Sequence, residues 1–313
     1  MLNRILPVLA LGATVLFAVA RADALLDVGG KYLGDGHQQL GTAILMGLPD
    51  PDVWVSYGMP GTPLALALLR RLPDTAARAC LLGLELSVPF LAFLLGAALE
   101  STTCGWLSLL AALVLVPLAP VPLENSLETL LYASLLLLVA RALVWRAREH
   151  SPAATFVLAF TLLATLLVRS PLDFFPAVLL ADDLRRDASW NTVRAAAPLF
   201  WVPLLLLLPW AFLNWRMCGR IIFLENGRSA LNIVTGAMGL VETYPGGHNH
   251  AMWFANLQPG DSVALWAVRR VLEHPWPYLL ALPFRLMLFM KQQPLWLAAG
   301  AACLWLRRGR EEY

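Results

Sequence analysis

Asp35 stands in "KYLGDGHQQLGTAILMGLPDP", residues 31–51, whose acid, histidine and two glutamines are too polar to enter lipid. Two further carboxylates, Glu124 and Glu128, share the "VPLENSLETLL" stretch, and Arg169 ends an apolar run in "LLVRSP". A carboxylate at a water interface can act as general base, worth about 10²- to 10⁴-fold when within hydrogen-bond reach of its proton. A second carboxylate nearby raises the pKa of the first, or the two together hold a divalent metal through oxygen ligands. Arginine grips phosphate oxygens by paired hydrogen bonds, so Arg169 is a candidate anion-binding cation, with Arg216, Arg220, His248 and His250 as others in a later loop. "GGHNH" offers only two histidines, short of a metal-ligand set, and metal dependence stays open. Glu85 lies inside an apolar run, where an ionisable group is a functional candidate by default. No partner for it is evident, although Arg78 stands two turns away.

The elements that position these groups are membrane helices. Of 313 residues, 59% are hydrophobic and 14% charged, against about 25% charged in a soluble domain. A net charge of +2, with scattered basic residues, leaves no nucleic-acid footprint. Cys80, Cys104, Cys218 and Cys303 are far apart and read as buried apolar residues. The expectation is an all-α polytopic membrane protein, a single domain over 1–313, with about eight transmembrane helices. The candidate spans are Ile5–Ala20, Ala76–Leu99, Trp106–Ala119, Leu127–Val144, Thr155–Val168, Leu172–Ala181, Ala195–Leu213 and Pro294–Leu306. The first also fits a secretory signal, since Arg4 precedes an apolar run ending in "AVARADA".

Basic residues in short loops set the orientation. Arg146 and Arg148, then Arg185 and Arg186, then Arg307, Arg308 and Arg310, belong on the cytoplasmic side. Alternation places two long loops outside, residues 21–75 and 214–293. The weak crossing is Leu172–Ala181; if it does not cross, everything after it inverts. Each outer loop carries a stretch suited to a juxtamembrane amphipathic helix, "TPLALALLRRL" from Thr62 and "EHPWPYLLALPFRLMLFMKQQP" from Glu273. In the second, Arg285 and Lys291 are expected to snorkel to headgroups.

Several of these stretches resemble the polyprenyl-phosphate-sugar-dependent glycosyltransferases of the GT-C fold, such as protein O-mannosyltransferases and aminoarabinose transferases of lipid A. Asp35 and Ala43 of "DGHQQLGTA" match that family's acid and alanine eight residues apart, and "YGMPGTPLALALL" from Tyr57 is similar to its tyrosine–proline run. "ENSLETLLYASLLLL" supplies an acid before a leucine-rich helix. "PWAFLNWRMCGRIIFLENGRSALNIVTGA", "WFANLQPGDS" and "EHPWPYLL" look like its stretches after the seventh span. The chain departs from the pattern at Gly36 and Gln39, where the family commonly has a second acid and a tyrosine, and it lacks later spans.

The resemblance implies transfer of a sugar from a polyprenyl-phosphate donor to a protein, lipid or glycan acceptor. It places the reaction at the outer face of a cell membrane, the inner membrane of a bacterium. Asp35 and Glu128 would be the catalytic acids, with Glu124, Arg169, Tyr57, Arg216, Arg220, His248 and His250 binding substrate. The lipid tail would lie among leucine-rich spans, at about 0.8 kcal/mol per buried CH₂. The alternatives are a lipid or lipid-linked sugar transporter, which Glu85 alone favours, and a non-catalytic membrane assembly partner.

Overall fold

A computed structural model describes residues 2–26, 59–69, 71–118, 126–219, 221–224, 227–241, 252–257 and 261–292. Asp35, Tyr57, Glu124, Arg220, His248, His250 and the expected span Pro294–Leu306 lie outside these residues. Twelve α-helices are formed within them. In lipid the backbone has no water to bond to, so apolar segments satisfy their N–H and C=O groups internally as helices. In chain order these are α1 (Leu2–Leu26), α2 (Gly61–Leu69), α3 (Asp74–Leu99), α4 (Thr102–Leu118), α5 (Ser126–Glu149) and α6 (Pro152–Val168). They continue with α7 (Phe175–Arg186), α8 (Trp190–Ala196), α9 (Pro198–Cys218), α10 (Gly227–Ala237), α11 (Val263–Glu273) and α12 (Pro275–Gln292). Among the described residues, three stretches are long and apolar enough to cross a membrane: Asp74–Leu99, Leu127–Glu149 and Trp190–Arg216. Shorter apolar helices cover Ile5–Arg21, Thr102–Leu113 and Pro152–Val168. By the length and composition of its helices this is a multi-pass membrane protein.

The chain divides into two compact units. The first, Met1–Val116 with Val121–Glu225, is built around α6, whose Ala154, Leu158, Ala159 and Leu162 are wholly buried. α5 and α9 flank α6, α3 packs on α5, and α1 packs on α3. One end of this bundle holds Val139, Ala142, Leu158, Leu162, Ala196 and Leu199 in a single apolar cluster. The other gathers Met59, Leu163, Leu166, Leu207 and Trp210. Gly61 sets α2 against the end of α6, where a Cβ would stand 2.5 Å from the carbonyl oxygen of Leu167. The outward faces stay apolar, with Val8 and Leu16 on α1 and Leu204, Leu205 and Phe212 on α9 exposed. A solvent of lipid accounts for that. Cys80 and Cys104 are not buried as expected: Cys80 is exposed and Cys104 half-buried.

The expected span Leu172–Ala181 is corrected in both position and length. The helix formed is α7, 12 residues long, or about 18 Å, well short of a hydrocarbon core of about 30 Å. Proline and a run of turns delay its start to Phe175, and the charged "DDLRR" lengthens its far end. It nevertheless brings the chain back to the Arg146 end, because the Arg146 Nη2 donates to Asp183 Oδ2 at 2.5 Å and its Nε donates to Thr155 Oγ1 at 3.3 Å. Arg146 therefore joins α5, α6 and α7, and α8 and α9 start from the same end without inversion. Ser151 and Ser189 cap the helices that begin there, accepting from the N–H of Ala154 and of Thr192.

The second unit, Pro117–Pro120 with Asn226–Tyr313, contains α10, α11 and α12. Leu231, Val234 and Leu257 form its small core, with Val263 and Trp266 of α11 packed on them. α10 ends in a Schellman motif: the Leu240 N–H donates to the Thr235 carbonyl, the Gly239 N–H to that of Gly236, and Gly239 adopts φ 74°. Arg285 does not snorkel as expected. Its Nε donates to the Leu240 carbonyl at 2.9 Å, and its Nη2 donates to the carbonyls of Leu240 and Gly236. A cation at a helix C-terminus answers both the unpaired carbonyls and the dipole, which outweighs reaching for water.

Candidate ion-pair site at one end of the bundle

Glu128 lies in the first turn of α5, as the "ENSLETLL" pattern predicts. An acid there complements the helix dipole, but Glu128 does more than that. Its side chain is only 4% exposed, and Arg169 Nε donates to its Oε1 at 2.5 Å. Arg169 is the C-cap of α6, with φ −150° and ψ 144°, so the chain turns extended there while its N–H still closes the last turn on Thr165. α5 begins where α6 ends; an acid at one helix N-terminus thus meets a cation at the other's C-terminus. Tyr132, one turn after Glu128 on the same face of α5, lies beneath the guanidinium at 5.7 Å from its ring centroid. The Arg169 side chain is 32% exposed, so the cation faces outward while the carboxylate that holds it is buried. The arrangement suits binding an anion at Arg169, with Glu128 fixing the guanidinium plane.

A second ion pair with a buried carboxylate lies in the same half of the bundle. Glu85 on α3, 2% exposed, accepts from Arg21 of α1 through two hydrogen bonds, Nε to Oε2 at 2.8 Å and Nη2 to Oε1 at 2.5 Å. Sequence reasoning left Glu85 without a partner because Arg21 was assigned to the start of the first loop. α1 in fact continues to Leu26. The readable signal was "LFAVARADALL", which has no helix breaker after Arg21. Ser87 and Ser134 share a hydrogen bond of 2.7 Å between α3 and α5, fixing their register. Glu128 lies six residues before Ser134 and Glu85 two before Ser87, a difference in height of about 6 Å at 1.5 Å per residue.

Arg216 is in the last turn of α9 and exposed; no hydrogen bond described brings it to Glu128. Nearby on α9, the fully buried Asn214 donates through Nδ2 to the Ile222 carbonyl at 2.9 Å. Among the described residues, Asn214 Oδ1, Trp210 Nε1 and Thr62 Oγ1 are buried without hydrogen-bond partners. Trp210 and Asn214 are the tryptophan of the proline–tryptophan pair and the asparagine of Asn-x-x-x-x-Gly in "PWAFLNWRMCG", a stretch that carries the family resemblance, but sequence reasoning assigned none of the three a role. Among the described residues no three metal-ligating side chains cluster.

No protein-family model matches this chain, and neither curated proteins nor solved structures give a match.

Proposed function

We propose that the protein is a membrane glycosyltransferase that moves a sugar from a polyprenyl-phosphate donor to an acceptor hydroxyl at the outer face, with inversion. The observation that carries the proposal is the Glu128–Arg169 pair: two residues chosen for opposite roles in one reaction, 41 positions apart, meet at one end of a membrane bundle. In this reading Arg169 receives the donor phosphate. The acceptor oxygen attacks the anomeric carbon as Asp35 takes its proton. The bond from that carbon to the phosphate oxygen breaks, its electron pair leaves with the polyprenyl phosphate, and the charge that grows there falls to Arg169. A fixed cation at that position costs no reorganisation when the charge develops. Glu128 acts as a positioning residue through Arg169 rather than as a second base.

The test is Asp35→Asn in membranes supplied with labelled sugar-lipid. Transfer should fall by about 10²- to 10⁴-fold; undiminished transfer eliminates the base. One observation favours a second reading, a transporter of an amphipathic lipid: the buried Glu85 carboxylate, paired with Arg21 of another apolar helix. A transporter would move the sugar-lipid across the bilayer without cleaving it. Intact sugar-lipid accumulating on the far side of vesicles, with no released polyprenyl phosphate, selects it.

A further inference from the structure

We infer that α11 and the first half of α12 form a docking surface for the bilayer itself, so that the second unit binds membrane lipid through an apolar face of its own. This inference is independent of the catalytic reading. α11 buries none of its residues fully. Val263 and Trp266 reach the small core, but Leu265, Val268 and Leu272 turn away from it and are 65%, 58% and 76% exposed. Their spacing of three, four and seven puts them on one face of the helix. The stripe continues into α12 with Trp276 at 70%, then Leu279, Leu280 and Phe284, all exposed.

Four observations select lipid as the occupant. First, the chain carries its own bilayer-length apolar helices, so lipid surface is always at hand. Second, from Trp276 to Leu288 the one charged side chain is Arg285, and it is turned inward onto the α10 carbonyls. The surface left outside is uncharged over 13 positions, which a water-facing helix does not maintain. Third, Arg269 is exposed at the border of the α11 stripe, placed to meet anionic headgroups at about 1 kcal/mol. Fourth, the exposed tryptophan Trp276 has the amphipathic ring that prefers the headgroup level. A helix of this pattern lies in the interface plane with its apolar face about 5–10 Å into the headgroup boundary.

The experiment uses the full chain, in a background with its four cysteines replaced, reconstituted in vesicles containing anionic lipid. Single cysteines at Val268, Leu272, Arg269 and Arg270 carry a spin label, and its collisions with oxygen and with a water-soluble nickel chelate are compared. All four positions are exposed, so the label does not disturb a core. The ratio of oxygen to nickel accessibility should be higher at 268 and 272 than at 269 and 270, for a face seated in the headgroup boundary. Equal nickel accessibility at all four positions overturns the inference. So does shielding of 268 and 272 from both reagents, which would mean that protein, a second copy included, covers the face.

Discussion

Truncating Glu128 to alanine removes the group that holds Arg169 and strips a buried position of its charge. Breaking a fully buried pair costs about 3–5 kcal/mol. Because Arg169 keeps about a third of its side chain at the surface, the expected loss is nearer about 2 kcal/mol, read as a lower unfolding temperature in detergent. A double-mutant cycle with Arg169→Ala should return a coupling of about 1–3 kcal/mol; additive effects would mean that the contact carries no energy. Arg21 and Glu85 make the same kind of prediction. Arg21→Ala alone should destabilise more than Arg21→Ala with Glu85→Leu, since only the single change leaves the buried Glu85 carboxylate unpaired. Each of Glu128, Arg169 and Glu85 was readable from its place at an apolar boundary or inside an apolar run. Their partners were not, because a sequence names which side chains need a counter-charge but not which helix brings it. Arg21 is 64 residues from Glu85.

Among the elements, the long apolar runs were readable nearly to their ends: Ala76–Leu99 lies within α3, Leu127–Val144 within α5 and Thr155–Val168 within α6. Helices that depend on charge placement were not. α7 slides toward its own Asp183 because the gain lies in pairing with Arg146, a tertiary contact that no local pattern reveals. The last carbonyls of α10 similarly claim Arg285, whose sequence context suggests water. The second unit can be tested at this level through Gly239, whose φ of 74° favours glycine and whose added Cβ would press on the Pro277 carbonyl. Gly239→Ala should lower stability by at least about 1 kcal/mol, measured by thermal unfolding. An unchanged midpoint would remove the α10–α12 junction as a structural joint. Ser189→Ala should cost about 1 kcal/mol through the lost cap of α8.

At the scale of the whole molecule, membrane character was plain from composition, and its physical basis is visible in the leucines and phenylalanines left outside the bundle. The pairing of Arg146 with Asp183 keeps both charged ends on one side, as the distribution of arginines in the sequence anticipated. Single-cysteine variants extend this to the cell: with α3 and α5 running in parallel and Arg148 donating to the Leu99 carbonyl, Cys104 belongs to the Arg146 side. A membrane-impermeant thiol reagent applied to intact cells should modify Cys218 and spare Cys104. The reverse result would invert the arrangement. The reaction itself is tested most directly at Arg169. Transfer from labelled polyprenyl-phosphate sugar, followed in proteoliposomes, should fall by about 10²- to 10³-fold in Arg169→Ala while folded protein is still recovered. Transfer at the wild-type rate by that folded variant would contradict the claim that this cation receives the departing phosphate.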